Sequence, residues 1–370
     1  MINSDKYLLR QRMRHIPICK SATLFISATR HVMLSLDSDA LFTVVDSVDE
    51  GDLLCLALAS KHVRDACLHR SNRTRANNGS RWYTNGTSSV ERVQWSVNVM
   101  KATPNFKWCA GAALQGCLPA LKWLRENGCQ WDQDTCCYAA SGGHLVTLQW
   151  ARENHCPWNV HTCSFAARFG HFEVLKWAHQ NNCPWDQRSC SLAAWGGHLH
   201  ILQWLRQHDC PWNALTCSSA AAGGYFEILK WAHKNGCPLD TYTTCQIAAR
   251  NGHFEIIEWA RQNGCCLDEL TCSGAAAGGN LEILQWLRQK RCPWDERTCS
   301  FAALNGHLHI LQWARENDCP VDEHTCYFAA SNGHFEVLQW AHNNGCPLNI
   351  KECLSATKSD EIFEWITSQT

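Results

Sequence analysis

The chain has 370 residues, 45% hydrophobic and 18% charged, with a formal net charge of −1. That balance excludes an overall electrostatic pull toward nucleic acid or an anionic membrane, and no run approaches the ~18 apolar residues of a membrane span. Two counts are abnormal, 25 Cys and 19 Trp; in a short secreted chain such cysteine usage would announce a disulfide scaffold.

Residues 1–33 are basic and acid-poor, with Lys6, Arg10, Arg12, Arg14, Lys20 and Arg30 against Asp5 alone. The apolar stretch "ATLFISA" is too short and interrupted for a secretory core, although the composition is also that of an organellar transit peptide. The segment is read as a flexible arm. A reducing compartment, cytoplasmic or nuclear, is then expected, where the sequons at Asn72, Asn78 and Asn85 stay unglycosylated.

Residues 34–70 read "LSLDSDALFTVVDSVDEGDLLCLALASKHVRDACLHR". Leu41, Phe42, Val44, Val45 and Val48 form one apolar helix face, and Leu53, Leu54, Leu56 and Leu58 follow a turn. Gly51-Asp52-Leu53-Leu54, Ser60-Lys61 and Arg64 give the segment the look of an F-box, with Leu36-Asp37 standing where that family has Leu-Pro. The resemblance implies contact with a Skp-type ubiquitin-ligase adaptor through Leu41, Phe42, Leu53, Leu54 and Leu56. An ordinary helical pair capping the next domain is the alternative, since it too needs apolar faces. Residues 71–87, rich in Ser, Asn, Gly and Arg, form a polar linker.

From about residue 88 the chain repeats itself to the C-terminus. Tryptophans fall at Trp123, Trp150, Trp177, Trp204, Trp231, Trp259, Trp286, Trp313 and Trp340, a step of 27 residues with one of 28 before Trp259. Trp95 marks a degenerate first unit and Trp365 a shortened last one. Within a unit, "HFEVLKWAHQN" from His171 spaces its apolar residues as a helical stripe, with Glu173 and His179 placed to suit the helix dipole. The residue before the next cysteine (Gly128, His155, Asn182, Asp209, Gly236, Gly264, Arg291, Asp318 or Gly345) is mostly a type that tolerates a left-handed backbone. It is therefore predicted to end the helix. A following Pro stops resumption, an Asp or Asn caps a second helix such as "DERTCSFAALN", and Gly-His turns into the next unit. The extra residue of the long unit falls in the loop "CPLDTYTTC". Short antiparallel helices of this kind cannot bury their stripes alone, so an all-α fold is expected, an α-solenoid of stacked helix pairs over residues 88–370.

The stretch "TCSFAARFGHFEVLKWAHQNNC" resembles the ankyrin repeat, matching its Ala-Ala, Gly-His and Glu-Val-Leu in order. The period is shorter than the ~33 residues of that family, and most of the missing length lies where ankyrins form a hairpin finger. The resemblance implies protein binding through the concave face and loop tips, without catalysis.

Nineteen of the cysteines occupy two columns. One runs Cys109, Cys136, Cys163, Cys190, Cys217, Cys245, Cys272, Cys299, Cys326 and Cys353; the other runs Cys129, Cys156, Cys183, Cys210, Cys237, Cys265, Cys292, Cys319 and Cys346. Stacked helices sit roughly 8–10 Å apart and a disulfide needs Cα atoms about 4.4–6.8 Å apart, so same-column neighbours should not bridge. The pairs that are close in sequence, as in "CPWDERTC", lack the spacing and histidine partners of a zinc site. The columns are read as small buried hydrophobes in preference to structural disulfides within a repeat, the Trp column as a core seam, and the Gly-His histidine as a turn residue with a local hydrogen bond.

Columns that vary between units remain for partners. After Ala-Ala stand Arg168, Trp195 and Arg250, and the loop before Thr carries Leu215, Tyr242 and Arg297. Trp and Arg are favoured interface anchors, which makes Trp195 with Arg168 and Arg250 the expected centre. No nucleophile–base pair, phosphate loop or metal motif survives, so neither enzyme activity nor a cofactor is expected. The expectation is a monomer that binds a protein target, with no nucleic-acid or membrane partner. The F-box resemblance would make it a substrate receptor for a cullin-type ubiquitin ligase; a plain scaffold or sequestering protein is the alternative.

Overall fold

A computed structural model describes residues 87–98 and 103–369. The expected arm, the F-box-like segment with Leu41, Phe42, Leu53, Leu54 and Leu56, and all of the linker except Thr87 lie outside the described residues. Among the described residues there are helices and connections and no strand. They fall into two compact units that divide after Pro157.

The first unit contains α1 (Val90–Asn98), α2 (Phe106–Leu114), α3 (Leu118–Glu126), α4 (Gln133–Ser141) and α5 (Leu145–Glu153). The second begins with α6 (Val160–Arg168), α7 (Phe172–Gln180), α8 (Gln187–Trp195), α9 (Leu199–Gln207), α10 (Ala214–Gly223) and α11 (Phe226–Lys234). It continues with α12 (Thr243–Arg250), α13 (Phe254–Gln262), α14 (Glu269–Ala277), α15 (Leu281–Gln289), α16 (Glu296–Leu304) and α17 (Leu308–Glu316). Helices α18 (Glu323–Ser331), α19 (Phe335–Asn343), α20 (Ile350–Ala356) and α21 (Asp360–Thr367) complete it. Even-numbered helices carry the first cysteine column and odd-numbered ones from α3 carry the tryptophans; each even helix pairs with the odd one that follows. This is the expected stack of helix pairs.

Both ends of each pair follow from side-chain chemistry. Asn105, Asp132, Asn159, Asp186, Asn213 and Asp295 accept a hydrogen bond from the backbone N–H two residues on, and so cap α2, α4, α6, α8, α10 and α16. Asp268 forms a reciprocal capping box with Thr271 at α14. The Trp helices end as expected in left-handed residues, five of which are not glycine: His155, Asn182, Asp209, Arg291 and Asp318, with φ of 58–65°. At α9, for instance, the Cys210 N–H reaches back to the Leu205 carbonyl at 3.0 Å, the long hydrogen bond of a Schellman motif.

The core lies between the two helices of each pair and between neighbouring pairs. In the second unit it is made of the Ala-Ala pairs such as Ala193-Ala194, the aliphatics such as Ile201, Leu202 and Leu205, and the cysteines. Within each unit, consecutive Cys helices pack directly on one another. At their C-terminal ends the backbones nearly touch: a Cβ on Gly196 would lie 2.0 Å from the Arg168 carbonyl oxygen, and one on Gly278 1.8 Å from that of Arg250. Small residues there are a packing requirement.

Two expectations need correction. The Trp column is half-buried, not core. Each of several Trp helices instead meets a second tryptophan from the loop that opens its own helix pair, edge to face, as in Trp131–Trp150 at 5.8 Å and Trp185–Trp204 at 5.9 Å. These rings form a wet-edged aromatic seam over the aliphatic core, which suits a side chain with a polar indole N–H. The Gly-His histidine does not bond locally. His144 Nε2 meets the Leu114 carbonyl at 3.1 Å, His253 the Ala222 carbonyl at 3.3 Å, and His334 the Leu304 carbonyl at 3.1 Å, each about one repeat back. Where Asn280 replaces histidine, its Nδ2 donates to the Ala249 and Arg250 carbonyls instead. The column therefore staples neighbouring repeats, and any side chain with a donor at that reach serves.

The cysteines also have a partner pattern that their sequence spacing hides. The second-column thiol donates to the carbonyl of the residue that caps the Cys helix of its own pair: Cys156 to Asp132 at 3.4 Å, Cys237 to Asn213 at 3.3 Å and Cys292 to Asp268 at 3.2 Å. The first-column thiol faces the second-column residue 20 positions later, as Cys190 does the Cys210 carbonyl at 3.8 Å. Each pair is thus closed by weak S–H donors that leave no apolar gap.

Replacing Gly278 with Ala should destabilise the protein by about 1–3 kcal/mol through overpacking. Relieving the left-handed strain at Arg291 with Gly should instead stabilise it by up to about 1 kcal/mol. Chemical denaturation of the two variants checks both signs. Burial lowers the pKa values of His198 and His307 below the ordinary 6.5, against the opposing effect of their carbonyl partners. The folded chain then binds fewer protons at these rings than the unfolded one. The stability they support is present above about pH 6.5 and is lost as pH falls toward their folded values. Exposed His324, raised by Asp322, works in the opposite sense. Melting at pH 5.5 should therefore occur below melting at pH 7.5.

Candidate partner-binding surface

The stapled backbone leaves the last position of each Cys helix pointing away from the core. Ala166 and Ala167 are fully buried, so the next residue, Arg168, emerges at the end of α6; Trp195 emerges likewise from α8 and is 40% exposed. The Arg168 guanidinium lies 4.0 Å over the Trp195 ring and 5.2 Å from that of Phe169. Its buried Nε has no hydrogen-bond partner among the described residues, so stacking holds the group. Two of the three expected central residues therefore meet. Arg250 is exposed on the same row but at the end of α12, two Cys helices further on.

Phe169 and Tyr225 extend the row and were not anticipated. Phe169 is 47% exposed and stands where other repeats hold Gly or Asn, or Gln115 in one. A bulky aromatic in a small-residue column is a signal the sequence carries. Tyr225, 39% exposed, replaces the stapling histidine. Its ring covers Gly197 and Gly223, and Gly223 in turn abuts the Trp195 carbonyl. Phe169, Arg168, Trp195 and Tyr225 thus make a run of aromatic and guanidinium surface along three successive repeats.

Leu215, Tyr242 and Arg297 lie elsewhere, at the N-terminal ends of α10, α12 and α16. A nine-residue helix spans about 13 Å, so the six candidate residues form two separate rows. Leu215 and Tyr242 are 58% and 61% exposed. Tyr242 is pushed outward by the extra residue of its repeat, where the Asp240 carboxylate accepts from the Tyr242 and Thr243 N–H groups. Arg297 is occupied by its own helix cap, donating from Nε to Asp295 at 2.7 Å, and the same carboxylate holds its pKa up.

Among the described residues no three His, Cys, Asp or Glu side chains converge as metal ligands, and no helix is long and apolar enough to cross a membrane. With this geometry in place, comparison with known proteins is informative on the repeat. Residues 217–261 match the family model for ankyrin repeats (many copies). The repeats are ankyrin-like. No curated protein matches the chain. Among solved structures, the ankyrin repeat domain of human ASB11 aligns at 18% identity over 43% of this chain and 84% of that one, with a TM-score of 0.34.

Because Trp195 rests on Arg168 outside the core, Trp195→Ala should cost at most about 1 kcal/mol in a thermal or denaturant melt, the scale of an exposed cation–π pair. A loss of several kcal/mol would make it a framework residue.

Proposed function

We propose that this chain is a protein-binding repeat protein whose target docks on the row formed by Phe169, Arg168, Trp195 and Tyr225. The observation that carries this reading is the Arg168–Trp195 stack, 4.0 Å apart and part-exposed on rigid, glycine-packed helix ends. Aromatic and Arg side chains already fixed in place lose little freedom on binding, which is the property of an interface anchor. The ankyrin-like character of the repeats supports the same reading.

Within that reading, the F-box-like segment at residues 34–70 makes the chain a substrate receptor: the segment engages a Skp-type adaptor through Leu41, Phe42, Leu53, Leu54 and Leu56, and the repeats hold the target. Support for this step is the motif Gly51-Asp52-Leu53-Leu54 with Ser60-Lys61 and Arg64. A plain scaffold is the competing outcome.

Two co-purifications separate the levels. A Skp-type adaptor should accompany the full chain and be lost when residues 34–70 are deleted, while target capture survives the deletion. Adaptor that never appears, or that persists after the deletion, removes the ligase role. Target affinity should fall at least about tenfold in Trp195→Ala, as for a hot-spot residue; unchanged affinity moves the interface off this row.

A further inference from the structure

Thiol–thiol contact recurs along the columns, lowering the pKa values of Cys237 and Cys265 as well as Cys129, and Cys109 and Cys129 show it most directly. Cys109 Sγ lies 3.5 Å from Cys129 Sγ, whereas Cys136, Cys163, Cys190 and Cys326 direct their sulfur to the carbonyl of the partner cysteine at 3.8–3.9 Å. Closing from 3.5 Å to the ~2.05 Å of a disulfide needs a movement of about 1.5 Å, within reach of a side-chain rotation. Cys129 is 5% exposed, the most of its column, while Cys109 is fully buried. The Arg125 guanidinium, bonded to the Cys129 carbonyl and stacked 4.1 Å over Trp131, places a positive charge beside that sulfur.

We propose that Cys109 and Cys129 form a peroxide-sensitive dithiol that closes to a disulfide within its repeat. Cys129 is the attacking thiol. The Cys109 S–H donated to it lowers its pKa, against burial and with help from Arg125, while the pKa of Cys109 is raised. The Cys129 thiolate attacks hydrogen peroxide, its sulfur is oxidised to a sulfenic acid, and hydroxide leaves and takes up a proton as water. The Cys109 sulfur then displaces the sulfenic hydroxyl; the S–S bond forms and the thiol proton departs with that hydroxyl as a second water. The outcome ties the end of α3 to α2 covalently, a modification site with a built-in resolving thiol.

The test exposes reduced, desalted full-length protein to hydrogen peroxide at the dose that oxidises the exposed Cys266. Remaining thiols are blocked with N-ethylmaleimide in denaturant, and peptides are mapped without reduction. A Cys109–Cys129 link reversible by dithiothreitol is expected, and it should persist in Cys117→Ser. In Cys109→Ser the link should vanish and Cys129 should be trapped by dimedone as the sulfenic acid. The wild-type map decides even if that variant folds poorly. Cys129 linked to Cys136 or Cys137, a link that survives Cys109→Ser, or a Cys129 left as free thiol once Cys266 is oxidised would overturn the proposal.

Discussion

A helix of nine residues makes too few internal hydrogen bonds to persist alone in water, and nine residues is the length of nearly every helix here. The rest of the structure follows from that shortage. Each helix must be stopped sharply, turned back and closed onto its partner, and each pair must be laid on the next. The left-handed residue, the proline, the Asp or Asn cap and the buried thiols all act at these joints. None of them contributes much by itself. Their repetition makes the stack cooperative, because a pair gains its buried surface only when its neighbour is in place.

The cysteines show how easily architecture imitates chemistry. "CPWDERTC" sets two thiols seven residues apart in sequence, yet Cys292 donates to the Asp268 carbonyl of its own pair, across the helix hairpin and not along the loop. Cysteine suits the joint because it is small enough for closely packed helices and still offers a weak donor to a carbonyl already engaged by the helix start. The same proximity that makes a good joint leaves Cys109 and Cys129 as candidates for covalent closure. Structural and reactive roles are then two settings of one geometry.

What was legible in the sequence was whatever depends on near neighbours. The caps at Asp132, Asn159 and Asp295, the left-handed stops at His155, Asn182 and Asp209, and the 27-residue register all follow from local rules. Contacts set by stacking were not legible. His334 reaches 30 residues back to Leu304 because the neighbouring repeat brings that carbonyl over it, and no rule of local spacing names the partner. The tryptophans were misplaced for a related reason: periodicity assigns a face, but the depth of that face depends on how far Val, Leu and Ala beneath it fill the core. On the candidate surface, Arg168 and Trp195 were readable as outliers in a column, while Phe169 and Tyr225 needed the stack to show that they continue it.

The claim that the two cysteine columns are joints of the core is tested most directly by native-state alkylation with a bulky maleimide, resolved cysteine by cysteine. Cys266, exposed and outside both columns, should be modified at once, and the columns only at the rate at which the repeats open. Column cysteines that react as fast as Cys266 in the folded protein would contradict the account.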